Sequence, residues 1–92
     1  MKIDESGKRK PIRFSGHARL QLPFRGAIEE EIIEAIRSET WSPAELGRLE
    51  CRKDFPFGKE WNAKIYATKQ VRPIFAEEET EIVVVTVYTY YF

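Results

Sequence analysis

Hydrophobic and polar residues alternate most regularly near the end of the chain, over residues 81–92. Nearly every residue there is β-branched or aromatic, and these types favour a pleated, buried surface. Alternation predicts an aliphatic face made of Val83, Val85 and Val87. The opposite face becomes polar along its length and carries Ile82, Val84, Thr86, Tyr88 and Tyr90. The pattern predicts a strand with helices on its aliphatic side and a ligand on its hydroxyl-bearing side.

A first helix is predicted to follow Ser15, a favourable N-cap residue. It should start at Gly16 or His17. We expect it to end or kink at Pro23, because the proline ring removes a backbone donor and clashes with the preceding turn. Gly26 should then supply a turn.

The second helix, from residue 27 to about residue 37, has the clearest helical period. Ile28, Ile32 and Ile36 recur at a spacing that places them on one apolar stripe. Glutamates at residues 29–31 crowd the first turn, where the positive end of the helix dipole favours them. We expect the isoleucine stripe to pack on the aliphatic face of the last strand, that is, on Val83, Val85 and Val87.

The middle of the chain predicts further strands. Residues 48–55 alternate between apolar and charged side chains, which is typical of a half-exposed strand, and Pro56 and Gly58 should end it. Residues 61–77 fit either one long bent strand or a hairpin at residues 68–69. Helices followed by strands predict an α+β fold, with two N-terminal helices packed on a three- to four-stranded antiparallel sheet.

Length and composition indicate one domain. With 92 residues and 42% hydrophobic side chains, the chain can bury a single core. We assign that domain to residues 14–92 and expect residues 1–13 to form a flexible arm, in which Ile12 and Phe14 are able to make a short first strand. The first ten residues lack the apolar stretch of a signal peptide, and no apolar run is long enough for a membrane helix. We therefore expect a cytoplasmic protein with no membrane partner.

Charge is distributed in blocks, although the net charge is zero. Residues 1–25 hold seven basic and two acidic side chains, and residues 26–50 hold two basic and seven acidic ones. Residues 51–76 are again basic, and residues 77–92 contain four acidic and no basic side chains. Two interpretations remain open. The blocks neutralise one another in the fold, or they form a basic face suited to polyanions and an acidic face suited to a basic partner.

Several kinds of chemistry lack the residues they need. The single histidine and single cysteine are far apart, with no carboxylate pair at ligand spacing beside them, and there is no glycine-rich phosphate loop. We therefore expect neither a metal site nor a cofactor. Cys51 lies on the apolar side of a predicted strand, which favours a buried, unreactive thiol.

Cleavage of RNA without a metal needs only a base, an acid and cations that stabilise the phosphate in the transition state. His17 is the natural acid or base, because histidine ordinarily titrates near neutral pH; a capping or packing role is the alternative. Arg25 and Tyr88 complete the candidate catalytic set, and we expect the three to converge on one surface. The candidate RNA-binding residues, which offer cations or a hydroxyl to phosphate, are Arg19, Lys64, Arg72 and Thr86.

Short motifs occur in a characteristic order: His17-Ala18, Arg25-Gly26, the isoleucine-rich acidic helix, Gly47-Arg48 and Thr86-Val87-Tyr88. Together they resemble the bacterial domain-of-unknown-function family 4258, which is grouped by fold with the RelE and ParE toxins and, more distantly, with barnase-like and colicin-type ribonucleases. The resemblance covers residues 14–88. Where the family carries an arginine one helical turn after His-Ala, this chain has Gln21, and Arg19 is the nearest alternative cation.

The resemblance implies a RelE/ParE-like fold and a toxin-like protein of a toxin–antitoxin type system. Such a protein would act as a metal-independent endoribonuclease on free or ribosome-bound mRNA and would be neutralised by a small antitoxin protein. Its cleavage should survive chelation and leave a 2′,3′-cyclic phosphate. A non-catalytic protein-binding module that retains the fold is the alternative, favoured by Gln21 and by the lack of a second histidine.

Overall fold

The computed structural model describes residues 5–92, and residues 1–4 of the predicted arm lie outside the described residues. The described helices are α1 (Glu5–Lys8), α2 (Gly16–Arg25) and α3 (Glu29–Ser38), with a short 3₁₀ turn at Glu45–Gly47. None of these helices has the length and apolar character needed to cross a membrane. The strands are β1 (Ile12–Phe14), β2 (Ser42–Pro43), β3 (Leu49–Glu50), β4 (Lys53–Trp61), β5 (Lys64–Glu77) and β6 (Ile82–Tyr91).

The strands form one mixed sheet in the order β1-β6-β5-β3-β2, and β4 pairs with β5 beside β3. β1 runs parallel to β6, whereas the other pairs are antiparallel. The predicted α+β class is confirmed. The prediction of three to four purely antiparallel strands is wrong in number and direction, because β1 adds to the edge in parallel and the chain after α3 forms two short strands before β4.

Helix α2 begins as predicted, because the Ser15 side chain accepts a hydrogen bond from the Ala18 N–H at 3.1 Å. The predicted end at Pro23 is wrong. The helix continues through Pro23 to Arg25 and closes at Gly26, whose φ of 71° lies in the left-handed region favoured by glycine. This continuation past the proline brings Arg25 to the edge of the sheet.

β5 is a single strand of 14 residues, so the hairpin predicted at residues 68–69 is wrong and the long strand is confirmed. The hairpin lies earlier, between β4 and β5. Its two turn residues, Asn62 and Ala63, both have positive φ, at 53° and 67°, which suits the twist of a tight hairpin. Pro56 and Gly58 do not end β4 but lie within it, where the register shifts and the strand pairs on one side only.

A β-bulge at Val85 divides β6 into two parts. In the pairing with β5, Thr86 lies opposite Ile74, and Val84 lies opposite Phe75. Val85 is therefore the extra residue on β6, and the alternation of its side chains changes phase there.

The predicted facing of β6 is inverted before the bulge and confirmed after it. Ile82 and Val84 are fully buried in the core, although they were predicted to face away from the helices. Beyond the bulge, Val87 is fully buried as predicted. The residues that alternate with it face away from the helices, and these are Thr86, Tyr88 and Tyr90.

The core lies between the sheet and the two longer helices. Helix α2 packs on β6, and α3 packs on β5. Ile32 and Ile36 are fully buried there, in one cluster with Val71 and Phe75 of β5. Ile28 is instead the N-cap residue of α3 and is 55% exposed. The predicted packing of the whole stripe on Val83, Val85 and Val87 is therefore wrong, since α3 lies over the neighbouring strand.

Residues 5–13, expected to belong to a flexible arm, instead contact the body of the domain. The Lys8 Nζ donates to the Glu39 carbonyl at 3.0 Å, and Lys10 forms an ion pair with Glu77 at 3.0 Å. The predicted short first strand is confirmed as β1.

Replacing Ile32 by Ala should destabilise the domain by about 2–5 kcal/mol, because the substitution leaves a cavity in a fully buried site. The midpoint of denaturant unfolding measures this change. Ile28→Ala is the matched control, and its exposed position predicts a shift of within about 0.5 kcal/mol. Equal midpoints for the two variants would contradict the described packing of α3.

Candidate functional site

The sheet face opposite α2 and α3, called the open face here, carries polar and aromatic side chains in register. Its cross-strand pairs between β5 and β6 are Ile74 with Thr86, Arg72 with Tyr88, and Gln70 with Tyr90. Glu50 on β3 lies beside Ile74 in the same sheet. Because residues two apart on a strand share a face, the bulge at Val85 determines that Tyr88 and Tyr90 both point to this side.

A cavity of about 500 Å³ opens on the open face, between the sheet and the segment 43–48. The sheet contributes Glu50, Arg72, Ile74, Thr86 and Tyr88 to its lining, and the segment contributes Arg48 among others. Three residues predicted from the sequence, Arg72, Thr86 and Tyr88, are therefore brought together here. The cavity combines the guanidinium groups of Arg48 and Arg72, the carboxylates of Glu45 and Glu50, hydroxyls and an aromatic ring.

Arg72 is held in place by two partners. Its Nε and Nη2 both donate to Glu50 Oε1, at 2.6 and 2.5 Å, and its Nη1 donates to the Tyr90 hydroxyl at 3.2 Å. These contacts raise the pKa of Arg72 above its ordinary value, with the hydrogen bond to Tyr90 first and Glu50 next. Within residues 5–92, no donor bonds the other carboxylate oxygen, Glu50 Oε2.

Side chains of α2 complete the edge of β6. β1 pairs with β6 only at residues 82–84, so the backbone of Val87 lies beyond it. Gln21 Oε1 accepts a hydrogen bond from the Val87 N–H at 2.8 Å, and Arg25 Nε donates to the Val87 carbonyl at 3.2 Å. These two side chains, one helical turn apart, satisfy both backbone groups of Val87 as a neighbouring strand would. Gln21 therefore has a structural role at the edge of β6.

Tyr88 lies within contact distance of two guanidinium groups. The Arg25 guanidinium carbon is 5.6 Å from the centre of the Tyr88 ring, and that of Arg72 is 5.3 Å from it. Each such contact is worth about 0.5–1 kcal/mol at an exposed site. The ring thereby orients both cations at the margin of the cavity.

The backbone of Arg25 is fixed to the sheet. Its carbonyl accepts hydrogen bonds from the Thr89 hydroxyl at 2.7 Å and from the Tyr91 hydroxyl at 2.6 Å. Both donors lie on the helix-covered side of β6. They hold the last turn of α2 against that strand, so the Arg25 side chain starts from a fixed point.

The next residue, Gly26, is held by an ion pair between the buried Lys69 and the half-buried Glu31. Its carbonyl accepts a hydrogen bond from Lys69 Nζ at 2.8 Å, and the same nitrogen pairs with Glu31 Oε2 at 2.8 Å. Glu31 Oε1 in turn accepts from the Ile28 N–H at 3.2 Å, at the start of α3. One carboxylate and one ammonium therefore join the turn, α3 and β5.

Only glycine fits at residue 26. A Cβ there would lie 2.3 Å from the Tyr91 hydroxyl oxygen and 2.8 Å from the Trp61 ring. Tyr91 is the centre of an aromatic cluster, with its ring centre 5.1 Å from those of Phe57 and Trp61 and 5.7 Å from that of Tyr66. This cluster is the surface against which the α2–α3 turn is packed.

His17 lies on a different surface, a shallow depression on α2 lined by His17, Leu20, Gln21, Phe24 and Arg25. Leu20 and Phe24 are 72% and 81% exposed. His17 does not line the cavity that Tyr88 lines. Arg25 lines this depression with His17 and contacts the Tyr88 ring, but it does not line the cavity. The three predicted catalytic residues therefore do not share one pocket, and their catalytic roles stay predictions.

Two predicted RNA-binding residues lie outside the cavity. Arg19 forms an ion pair with Glu29 at 2.7 Å. Lys64 is exposed and lies opposite Trp61 beside the hairpin turn. Neither lines the cavity.

Sequence reasoning missed Glu50, Arg48 and Arg52 as candidate site residues. The alternation over residues 48–55 indicated that these side chains share the exposed face of a strand. The pairing of β3 with β5, which brings Glu50 within bonding distance of Arg72, has no local signal in the sequence.

Cys51 alternates with these residues and faces the core. It is buried, and burial raises the pKa of its thiol to about 12. The predicted burial of this thiol is confirmed.

Among residues 5–92, no three His, Cys, Asp or Glu side chains are grouped so that they could hold a metal ion. No protein-family model, no curated protein and no solved structure matches the chain. The family resemblance, the toxin-like activity, the antitoxin partner and the cytoplasmic location therefore stay predictions.

Replacing Lys69 by Met should destabilise the protein by about 1–3 kcal/mol, because it leaves the Gly26 carbonyl without its donor and the half-buried Glu31 carboxylate without its cation. Denaturant unfolding measures the loss. Lys59→Met is a matched control, since Lys59 also lies over the Phe57 ring, at 5.8 Å, but is exposed. If both variants lost the same small amount, the ion pair would not hold the turn.

The Cys51 thiol should be unreactive in the folded protein at pH 8, because burial keeps it protonated and inaccessible. A colorimetric thiol reagent should detect no free thiol in the native protein and one equivalent after denaturation. Rapid labelling of the native protein would show that this strand opens readily.

Proposed function

We propose that the protein is a toxin-like, metal-independent endoribonuclease that acts on mRNA, with the cavity on the open face as its active site. One observation carries the proposal. The cavity places the guanidinium groups of Arg48 and Arg72, the carboxylate of Glu50 and the hydroxyl of Tyr88 around a single space. These are the groups that acid–base cleavage of a phosphodiester requires.

Binding is the first task of such a site. Arg72 presents its guanidinium at the cavity wall, and Arg48 has no ion-pair partner within residues 5–92. Guanidinium groups match the geometry of phosphate and stay charged at all working pH values. The Tyr88 ring offers a flat surface for a base, and the Thr86 hydroxyl is a further donor to phosphate.

The cleavage step uses groups already in place. Glu50 Oε2 accepts the proton of a ribose 2′-hydroxyl, and the 2′-oxygen attacks the adjacent phosphorus. The bond from phosphorus to the 5′-oxygen breaks, and the leaving oxygen takes a proton from the Tyr88 hydroxyl. Arg72 and Arg48 stabilise the extra negative charge on the phosphate oxygens. The products are a 2′,3′-cyclic phosphate and a 5′-hydroxyl end, and solvent returns a proton from Glu50 to Tyr88.

This assignment changes the role that we expect for His17. The sequence indicated His17 as the natural acid or base, whereas the residues around the cavity offer Glu50 for that task. His17 and Arg25 share the α2 depression, and Arg25 contacts Tyr88. We therefore assign His17 a secondary part in binding and Arg25 the orientation of Tyr88.

The relation to RelE- and ParE-like proteins belongs to this proposal and rests on the order of motifs in the sequence. A small antitoxin protein would be the partner. The α2 depression supports that partner, because Leu20 and Phe24 are strongly exposed apolar side chains beside the candidate site.

The same exposed pair supports the second candidate function, a non-catalytic protein-binding module that retains the fold. In that case the arginines of the open face would bind acidic groups of a partner protein and no RNA would be cleaved. Cleavage of RNA by the wild-type protein distinguishes the two functions, and the substitution Phe24→Glu tests the surface that both would use. This substitution should abolish partner binding in both cases but leave RNA cleavage intact if the cavity is the active site.

Purified protein should cleave free or ribosome-bound mRNA in the presence of EDTA and leave 2′,3′-cyclic phosphate ends. Glu50→Gln and Tyr88→Phe should each lower the rate by about 10²–10⁴-fold, because each removes a proton-transfer group. Mapping of RNA ends by gel and mass spectrometry measures the products. His17→Ala should lower the rate less than Glu50→Gln does.

Glu60→Gln is the matched control, since it makes the same chemical change on an exposed residue of β4. Thermal melting of each variant separates loss of activity from loss of folding. Activity abolished by EDTA would overturn the mechanism. Absence of cleavage on both forms of mRNA, without growth arrest on expression, would favour the protein-binding module.

A further inference from the structure

An aromatic row runs along the open face of β6 and continues beyond the cavity. Tyr88, Tyr90 and Phe92 alternate with residues of the helix-covered side, and Phe92 extends the ladder by exchanging backbone hydrogen bonds with Thr68 at 2.8 and 3.1 Å. The two tyrosines are each 38% exposed, and Phe92 is 58% exposed. Only Tyr88 lines the cavity, so the other two rings are unexplained by the cleavage site.

Arginines contact the two tyrosines of this row. Beyond the two guanidinium groups beside Tyr88, the Arg52 guanidinium carbon lies 5.8 Å from the centre of the Tyr90 ring. Arg72 bonds the Tyr90 hydroxyl and so connects the two rings. The result is an alternating series of Arg25, Tyr88, Arg72, Tyr90 and Arg52.

Much of the charge in this series is available to a ligand. Arg72 shares its charge with Glu50, but Arg25 and Arg52 form no ion pair within residues 5–92. Arg52 bonds the amide oxygen of Gln70 at 3.4 Å, and Gln70 in turn donates to Asp54 at 2.8 Å. On the β4 side, the series of arginines and tyrosines therefore ends at an acidic residue, Asp54.

The spacing of the rings favours an extended single strand over a stacked duplex. Residues two apart on a strand are separated by about 6.6 Å, whereas stacked bases of one strand in a duplex follow one another at about 3.4 Å. Successive bases can therefore reach successive rings only if they are unstacked and extended. Stacking on aromatic side chains beside cations is how proteins hold single strands without reading their sequence.

From these observations we infer that the row Tyr88–Tyr90–Phe92, with Arg25, Arg52 and Arg72 beside it, is a binding track for single-stranded RNA. The track holds the nucleotides that adjoin the cleaved bond, with successive bases on successive rings. The inference rests on the proposed function and deepens it, because it defines the substrate as an extended single strand of at least three nucleotides.

The test measures binding separately from cleavage. Binding is measured by fluorescence anisotropy with labelled 2′-O-methyl oligonucleotides. Their methyl group blocks the attacking hydroxyl, so they bind without being cleaved. The wild-type protein should bind a single-stranded hexamer at least about ten-fold more tightly than a dinucleotide, because stacking adds with each base. A hexamer duplex should bind more weakly than the single strand.

Variants on the row test its individual rings. Tyr90→Ala and Phe92→Ala should each weaken hexamer binding by about ten-fold. Tyr90→Phe keeps the ring and should retain most of the affinity. Ile65→Ala is the matched control, because Ile65 is an exposed apolar residue on β5 that is not part of the row. All three positions are exposed, and thermal melting verifies that the four variants fold.

The outcomes separate the inference from the proposed function. If Arg72→Gln abolishes binding and cleavage but the Tyr90 and Phe92 variants match wild type, the track is overturned and the cavity stands. Equal affinity for duplex and single strand would also overturn it. If a poly-glutamate peptide competes for the site as well as RNA does, this surface binds an acidic segment of a partner protein instead of RNA. If no oligonucleotide binds and no RNA is cleaved, the proposed function and the track are overturned together.

Discussion

The attachment of the α2–α3 turn to the sheet is the constraint on which the rest of the structure depends. Three donors from β5 and β6 bond two successive carbonyls, those of Arg25 and Gly26. One of these donors, Lys69, is also paired with Glu31. Since a buried charge is costly without its partner, the pair forms only when the turn, α3 and β5 are all in position. The same attachment fixes the starting point of the Arg25 side chain.

The attachment of this turn also stabilises the hairpin end of a small domain. The aromatic cluster around Tyr91 provides apolar area close to the hairpin, where the helices alone bury little. Gly26 allows the turn to approach that cluster without a side chain between them. The contact between the α2–α3 turn and this cluster therefore has two effects. It packs the helix-covered face, and it fixes the backbone from which Arg25 reaches Tyr88.

Local patterns predicted the helices and the strand-forming segments well, because capping residues and apolar periods are local signals. They predicted less of the pairing. The Val85 bulge depends on how β6 matches β5, and a sequence of uniformly β-branched residues does not reveal where an extra residue is placed. The same limitation applies to Glu50, whose position beside Arg72 arises from two short strands that pair far apart in sequence. Tyr88 was placed correctly because it follows the bulge.

The charge blocks find partners in the fold, which supports the interpretation that they neutralise one another. The basic start of the chain meets the acidic end through Lys10–Glu77 and Arg13–Glu81, and the basic segment 51–76 meets the acidic segment 26–50. Several cations lie outside these pairs, and Lys59 and Lys64 are exposed examples on the β4–β5 hairpin. Arg25, Arg48 and Arg52 form no ion pair within residues 5–92, and all three lie at the open face. The Glu45 carboxylate also lines the cavity beside Arg48, so charges of both signs lie at this face.

The bonds from Gln21 and Arg25 to Val87 also bear on solubility. β6 is the most strongly β-forming segment of the chain, and an uncovered edge on such a strand is a template for pairing between molecules. By occupying the N–H and the carbonyl of Val87, the two side chains close that edge where β1 no longer reaches. Arg25 therefore has a structural task at this edge that is separate from any contact it makes with Tyr88.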